Sequence, residues 1–334
     1  MIIRKTNNLS LKKSYINRII EDLGLTQDGS PRSIYEGRIA SNFTLLTKEK
    51  GEILVRSYPA GYSQDQISLE IESLLFFSNQ KVPVPNILLF QDGEILKCYK
   101  NQWVFAYQMI DGKSPCQADL SNDLSKQTAE ILGRFFTASS QYISKDKIAV
   151  NDQKFIQNLF FKFKKKYSFL LKYLPIQEMD KLLKNKDLEN WLDKSKKGLV
   201  HGDYFFENIL IKNNKIVGII DFGDVYYGSI VTDLIIGSIE FSVDATETFR
   251  IEWMKTFLEN LHSWLIIFEL SAARFVDLLR INCIRFMIYT IPFDLADGFP
   301  PENNRYLTRF VTLNRPELTT AINEIFSELG VTSL

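Results

Sequence analysis

Residues 201–224 read HGDYFFENILIKNNKIVGIIDFGD, and this stretch carries the strongest functional signal in the chain. Asp203, Asn208 and Asp221 supply two carboxylates and one amide within it. Asp and Asn beside strands are common turn formers, so a lone Asp-x-x-x-x-Asn spacing would indicate little. The distinctive feature is the combination of a His-Gly pair before the first aspartate with the sequence IIDFGD at the end of the next apolar run.

Two strands joined by a turn are predicted inside this stretch. Asn208–Ile211 and Ile216–Ile220 are rich in β-branched residues, and a polar Lys-Asn-Asn-Lys segment separates them. If the strands pair as a hairpin, alternation places Asn208 and Asp221 on one face, about 7–8 Å apart. A phosphoryl-transfer site needs a group that orients the attacking hydroxyl and oxygen ligands for Mg²⁺. With Asp203 upstream, the stretch contains side chains suited to both tasks.

These residues resemble the catalytic core of the aminoglycoside phosphotransferase and choline kinase superfamily, whose members are relatives of protein kinases and phosphorylate small molecules. Its pattern is H-G-D-x-x-x-x-N followed by I-D-F or I-D-W. The resemblance implies an ATP- and Mg²⁺-dependent kinase in which Asp203 is the catalytic base and Asn208 and Asp221 are magnesium ligands. Asp233 matches the buried aspartate that braces the catalytic loop, and His201 is expected to be structural.

The composition agrees with an intracellular enzyme of the kind that the resemblance implies. The chain has 334 residues, 45% of them hydrophobic, which is enough for two domains with their own cores. Forty basic and forty acidic residues cancel, so the net charge does not indicate a nucleic-acid partner. Three widely spaced cysteines, no signal peptide and no apolar run of about 18 residues predict a cytoplasmic protein without a membrane partner.

One basic run needs a separate interpretation. Lys162 and Lys164–Lys166 lie among aromatic residues, a combination also found in nucleic-acid-binding proteins. Helical phasing instead predicts a solvated lysine face beside a buried stripe of Phe161, Phe163 and Tyr167.

A strand-rich region precedes a helix-rich one. After a predicted helix over Ser10–Leu23, the region Ser33–Leu96 alternates like strands around one helix at Gln66–Ser78. Apolar residues then recur at helical spacing. The resemblance implies an α+β, bilobal protein-kinase-like fold with three parts. They are a small β-rich N-terminal lobe over 1–107, a hinge over 108–115, and a larger, mainly helical C-terminal lobe over 116–334 with the catalytic hairpin and the substrate site.

The resemblance also implies a nucleotide site in the N-terminal lobe. Arg56, on the third expected strand, stands where the fold places a lysine against the α- and β-phosphates, and Glu70 is its pairing acid. Arginine binds phosphate through a planar fork, so its geometry differs from that of lysine. The other predicted contacts are Ser41 and Asn42 in a phosphate-covering turn at Glu36–Asn42, which is not glycine-rich, and Gln108 and Met109 at the adenine-facing hinge.

The acceptor is predicted from weaker similarities. The wording YEGRIASNF, LVRSY and VPVP between Tyr35 and Pro85 is similar to the homoserine kinase branch of the superfamily, whereas Asp224 departs from that branch. A small molecule with a hydroxyl and an amino group, such as a homoserine-like amino alcohol or a hydroxy amino acid, is consistent with both observations. The candidate substrate contacts are Asp224 and Glu207 for an ammonium group and Arg280 or Arg285 for a carboxylate, and the alternative for each of them is an ordinary surface charge or a helix ion pair.

Two alternatives remain open at this stage. An aminoglycoside phosphotransferase would keep the chemistry and change the acceptor to a polycation, which requires an acid-lined cleft. A nucleotide-binding module without catalysis is suggested by Arg56 and by the lack of a glycine-rich loop. The sequence indicates no oligomeric state.

Overall fold

The computed structural model describes residues 13–34, 40–59, 61–144, 150 and 152–331, and its contacts divide the chain into two compact units. The first unit contains the chain up to Lys113 together with Val217–Gly223, and the second contains Ser114–Ile216 and the chain from Asp224 onward. Val217–Gly223 falls within the predicted C-terminal lobe. The structure groups this segment with the first unit instead, and the N–H of Ile219 donates to the carbonyl of Pro83 at 2.8 Å.

The first unit is built around an antiparallel sheet. Among the described residues, the sheet has the order β1-β2-β3-β6-β4, and β5 pairs with β6 at the edge. Its elements are α1 (Lys13–Asp22), β1 (Arg32–Ile34), β2 (Ser41–Thr47), β3 (Gly51–Pro59), α2 (Gln64–Asn79), β4 (Asn86–Leu88), β5 (Lys97–Tyr99) and β6 (Gln102–Gln108). The helix predicted at Gln66–Ser78 is found within two residues of its expected bounds, with strands on both sides of it. Of the predicted N-terminal helix over Ser10–Leu23, residues 10–12 lie outside the described part.

Strand β3 divides its side chains between two faces. Ile53 and Val55 belong to a buried apolar cluster with residues of α1. Arg56 and Tyr58 have the opposite parity, so they emerge together on the other face. There Tyr58 hydrogen-bonds Glu70 of α2.

Helix α2 has clear boundaries and a buried face. The Ser63 side chain accepts a hydrogen bond from the backbone of Gln66 and so caps its start. Beyond its end, Lys81 takes a positive φ of 61°, and two prolines follow at positions 83 and 85. Ile67, Glu70, Ile71, Leu74 and Phe77 lie on the buried face. Glu70 is the carboxylate among these apolar residues and so needs partners.

The second unit is mainly helical. Its elements are α3 (Asn122–Ser139), α4 (Asp152–Lys166), α5 (Ile176–Leu183), α6 (Lys186–Lys194), β7 (Lys197–Val200), β8 (Ile209–Lys212), β9 (Lys215–Ile219), β10 (Tyr226–Ser229), α7 (Val231–Glu240), α8 (Ile251–Asn260), α9 (His262–Ile267), α10 (Ala272–Ala296), α11 (Arg305–Thr312) and α12 (Pro316–Glu328), with the boundary between the units falling inside β9. Together the two units confirm the predicted α+β class. No helix in the described part of the chain combines the length and the apolar character that crossing a membrane requires.

Strand β7 delivers the His-Gly-Asp segment. It pairs antiparallel with β10, with Val200 opposite Tyr226. The chain leaves β7 directly into His201 and then makes a short 3-10 turn over Phe206–Asn208 before β8. Helix α7 follows β10 at once and is buried almost throughout.

The predicted hairpin is present, with β8 and β9 forming a two-stranded sheet. Asn213 and Asn214 between them have φ values of 50° and 59°, as tight hairpin turns require. Strand alternation does not extend to the two candidate ligands, however. Asn208 lies in the 3-10 turn before β8, and Asp221 lies after β9 with φ 63°. The common face derived for them from alternation therefore does not hold.

Helix α4 corrects one detail of the predicted aromatic stripe. Phe163 is buried as predicted, but Phe161 is 66% exposed and Phe160 takes its place in the core. Residues 160, 163 and 167 follow helical spacing of three and four and so lie on one face. Residue 161 is rotated by about 100° around the helix axis from residue 160 and so lies off that face. Lys164, Lys165 and Lys166 lie in the last turn of this helix.

Candidate active site

Arg56 lies in a buried set of polar groups in the first unit. Its Nη1 is 3.0 Å from Oδ1 of Asp221 and 3.4 Å from Oε1 of Glu70. Burial alone would lower the pKa of Arg56, but the charges of Glu70 and Asp221 outweigh burial and raise the pKa well above its ordinary value. The guanidinium is thus a permanent positive charge between two carboxylates.

Tyr58 contacts Arg56, and the sequence pattern did not predict this contact. Nε of Arg56 donates to the Tyr58 hydroxyl at 2.9 Å, and that hydroxyl donates to Oε2 of Glu70 at 2.6 Å. Tyr58 is 1% exposed, and burial together with the charge of Glu70 raises its pKa far above the ordinary value. The signal that could have found it is strand parity, because residues two apart on a strand share a face.

The segment Asp221–Gly223 packs inside the same unit. Phe222 is buried, and its ring lies 5.7 Å from that of Phe77 on α2. The side chain of Asp221 is half exposed and reaches Arg56 from a left-handed backbone conformation that Asp tolerates better than most residues. A Cβ at Gly223 would lie 2.5 Å from Nη2 of Arg56, so the guanidinium approaches the chain more closely than a larger residue would allow.

The remaining predicted nucleotide contacts lie on the same sheet or beside it. Asn42 is directly opposite Arg56 in the β2–β3 register, next to Ser41. Gln108 donates from Nε2 to the Lys50 carbonyl at 2.9 Å, and the N–H of Met109 donates to the Glu52 carbonyl at 2.9 Å. The Met109 N–H is therefore engaged within the protein. Residues 36–39 of the predicted phosphate-covering turn lie outside the described residues.

In the second unit, Asp233 braces the His-Gly-Asp loop. The backbone N–H of His201 donates to its Oδ2 at 2.7 Å, and that of Gly202 donates to its Oδ1 at 2.9 Å. Asp233 is fully buried on α7, and burial raises its pKa to about 7 against the opposing effect of these two N–H groups. Arg285 donates from Nη2 to the Gly202 carbonyl at 3.0 Å, so both backbone polar groups of Gly202 are held.

Gly202 has the conformation that this loop needs. Its φ is +79°, and a Cβ there would lie 3.0 Å from the backbone oxygen of Asp224 and 3.2 Å from the Tyr226 ring. The next residue is Asp203, whose N–H donates to Nδ1 of His201 at 3.3 Å. His201 is buried and accepts this bond.

Asn208 is oriented by Asp203. Its Nδ2 donates to the Asp203 carbonyl at 2.8 Å and to the Asp203 carboxylate Oδ2 at 3.2 Å. With the nitrogen turned to Asp203, the amide oxygen is the atom that Asn208 offers to a cation. Amide and carboxylate oxygens suit Mg²⁺, which usually binds one or two protein groups together with phosphates and water. Asn208 and Asp221 fit this donor chemistry.

The predicted acceptor contacts differ in their surroundings. Glu207 and Asp224 are exposed, as groups that meet a cationic ligand would be. Arg280 forms ion pairs with Glu178 and with Asp277, and its guanidinium lies over the Phe310 ring. Arg280 is therefore already engaged by side chains of the protein. Arg285 is engaged as well, through its hydrogen bond to the Gly202 carbonyl.

Comparison with known proteins identifies the family of this chain. The family described as "Phosphotransferase enzyme family" matches residues 31–268. A homoserine kinase of Zymomonas mobilis is 20% identical over 262 residues, which cover 78% of this chain and 79% of that protein.

Solved structures of kinases share the fold. An amicoumacin kinase solved with AMP-PNP and Ca²⁺ superposes with a TM-score of 0.62 at 17% identity, covering 96% of this chain and 95% of the other. The ethanolamine kinase of Plasmodium vivax gives a TM-score of 0.62 at 14% identity, covering 92% and 86%. The predicted bilobal, protein-kinase-like fold is thereby confirmed.

Proposed function

The chain belongs to the phosphotransferase enzyme family, and we propose that it transfers the γ-phosphoryl group of ATP to the hydroxyl of a homoserine-like amino alcohol or hydroxy amino acid. Within the family, the observation that carries this proposal is the catalytic loop. Asp203, oriented Asn208 and the Asp233 brace form one hydrogen-bonded set in the second unit.

Asp203 has the role of the base in this proposal. The acceptor oxygen forms a bond to the γ-phosphorus, the bond from that phosphorus to the bridging oxygen of ADP breaks, and the hydroxyl proton passes to the Asp203 carboxylate. The Asn208 amide donates to Oδ2 of this carboxylate and so helps to fix its orientation. Most of the catalytic effect then comes from orientation, since such sites do little covalent chemistry of their own.

Asn208 and Asp221 would hold the Mg²⁺ that accompanies ATP, and the ion would supply neutralisation of the phosphate charge when bound. Arg56 would contact the phosphates through its remaining N–H donors, with its orientation fixed by Glu70 and Asp221. A guanidinium suits this task because its fork matches the spacing of two phosphate oxygens.

The acceptor class rests on two kinds of support. The match to a homoserine kinase extends over most of both chains and favours a small hydroxy amino acid. Exposed Asp224 and Glu207 are suited to meeting the ammonium group of such a substrate.

A panel of acceptors tests the proposal. The protein is incubated with Mg-ATP and, separately, homoserine, hydroxylysine, ethanolamine, choline or kanamycin, and phosphomonoester formation is followed by ³¹P NMR. The proposal predicts the highest kcat/KM for homoserine or another hydroxy amino acid. A preference for kanamycin would move the assignment to aminoglycoside phosphorylation, and tight Mg-ATP binding without any product across the panel would contradict catalysis altogether.

A further inference from the structure

Three side chains of the first unit form a directed chain of hydrogen bonds. Arg56 donates from Nε to Tyr58, and Tyr58 donates to Oε2 of Glu70, while the other carboxylate oxygen of Glu70 lies 3.4 Å from Nη1 of Arg56. The three residues therefore close a ring of polar contacts. Tyr58 and Glu70 are each 1% exposed, so water does not substitute for either partner.

We propose that Tyr58 is a positioning residue that allows an arginine to serve as the phosphate-contacting cation at position 56. The proposal rests on the function proposed above, in which Arg56 contacts the phosphates of ATP. It adds a reason why an arginine stands at position 56. The hydroxyl of Tyr58 accepts a hydrogen bond from Nε–H, the donor that joins the guanidinium to its aliphatic stem.

The chemistry of the two possible cations explains why such a partner is needed. A lysine ammonium has three donors at its tip that rotate together, and it has no N–H on its stem. A guanidinium has five donors in a fixed plane, so a buried Nε–H requires its own acceptor or remains unsatisfied at a substantial cost. With Nε held by Tyr58 and Nη1 by Glu70 and Asp221, the plane of the fork is fixed.

Tyr58 is suited to this role by its own surroundings. Its raised pKa keeps the hydroxyl protonated, so the hydroxyl hydrogen goes to Glu70 and a lone pair faces Arg56. Its ring is stacked on that of Tyr62 at 4.6 Å with an interplanar angle of 16°. Tyr58→Phe would keep this stacking and remove only the oxygen atom.

The matched control is a second buried tyrosine in the same unit. The hydroxyl of Tyr99 donates to Oδ2 of Asp22 at 2.6 Å, the same length as the bond from Tyr58 to Glu70. Tyr99→Phe therefore removes an equivalent hydroxyl–carboxylate bond without touching Arg56. A loss of nucleotide binding that both variants share reflects the stability of the unit. Any additional loss in Tyr58→Phe reflects the contact with Arg56.

The test is a double-mutant cycle in the full-length protein. Binding of AMP-PNP with Mg²⁺ is measured by titration calorimetry for the wild type, Tyr58→Phe, Arg56→Lys, the double variant and Tyr99→Phe. We expect Tyr58→Phe to weaken binding about tenfold, the loss expected for one hydrogen bond to a charged group. In the Arg56→Lys background the same change should cost less than about twofold, because the lysine has no Nε to satisfy.

The outcomes separate this proposal from the proposed function. If the wild type binds AMP-PNP and Tyr58→Phe binds it as tightly as Tyr99→Phe does, the positioning role is refuted while the kinase assignment is unaffected. Equal losses in the wild-type and Arg56→Lys backgrounds would also refute it. If the wild type shows no nucleotide binding, the proposed function fails and the positioning role fails with it. Should the lysine variant bind too weakly to titrate, the comparison with Tyr99→Phe decides alone.

Steady-state kinetics gives a second readout. A rise in KM for Mg-ATP with an unchanged KM for the acceptor supports positioning of the phosphates, whereas a merely structural role would lower the active fraction and leave both KM values unchanged.

Discussion

Gly202→Ala tests whether the loop that carries Asp203 depends on its close packing. Gly202 has φ +79°, and a Cβ there would meet the backbone oxygen of Asp224 at 3.0 Å and the ring of Tyr226 at 3.2 Å. Gly298 in the same unit has φ +85°, and no atom of the described residues would lie within 4 Å of a Cβ added there. The pair of alanine variants therefore separates backbone strain from crowding.

The expected loss of folding stability has two parts, backbone strain and crowding. The left-handed conformation costs an alanine about 1–2 kcal/mol, and this term is common to both variants. Crowding adds about 1–3 kcal/mol at Gly202, toward the lower end because its contacts are at 3.0 Å or longer. We expect Gly202→Ala to unfold at a lower Tm than Gly298→Ala, by about 2–4 °C for each kcal/mol of excess in a unit of this size.

Activity supplies the functional part of this prediction. Gly202 donates to Asp233 and accepts from Arg285, so any shift that relieves the crowding also displaces the adjacent Asp203. A displacement of about 1 Å can reduce the rate about 100-fold, so kcat should fall strongly for Gly202→Ala and stay near the wild-type value for Gly298→Ala. Thermal unfolding and initial rates on the best acceptor are the assays. Equal Tm and equal kcat in the two variants would show that crowding at Gly202 affects neither stability nor the position of Asp203.

Two further variants probe the first unit. Gly223→Ala would place a Cβ 2.5 Å from Nη2 of Arg56, and because the guanidinium is held on its other nitrogens, we expect KM for Mg-ATP to rise about tenfold. Initial rates check this, and an unchanged KM would show that the guanidinium yields at no cost. Asp221→Asn is compatible with the φ of 63° but removes one of the two carboxylates beside Arg56, and we expect it to lower kcat and to require more Mg²⁺. A wild-type Mg²⁺ titration curve would contradict the ligand assignment of Asp221.

Glu70 illustrates how far local patterns reach. Helical spacing of apolar residues predicts α2 to within two residues, and the family resemblance then selects Glu70 as the partner of the cation. The structure brings its carboxylate to 3.4 Å from Arg56. The helix follows from spacing within a few residues, whereas its pairing with the cation follows from the family pattern.

Asp221 and Tyr58 show where those patterns stop. Alternation assumes that the strand continues to Asp221, but the chain leaves β9 at Ile219 and turns into the left-handed region. Its contact with Arg56 joins positions 165 residues apart, which no periodicity records. Tyr58 is within reach of strand parity, but a tyrosine on a strand is usually a packing residue, and its role becomes visible only with its two hydrogen bonds.

We propose that Asp203 acts as the base when the phosphoryl group of ATP passes to the acceptor hydroxyl. The most direct measurement is phosphomonoester formation by Asp203→Asn, compared with AMP-PNP affinity in the same preparation. Asp297→Asn, an exposed position after the end of α10, is the control. We expect Asp203→Asn to bind nucleotide like the wild type and to form no product, and Asp297→Asn to be fully active. Wild-type turnover by Asp203→Asn would contradict this role of Asp203.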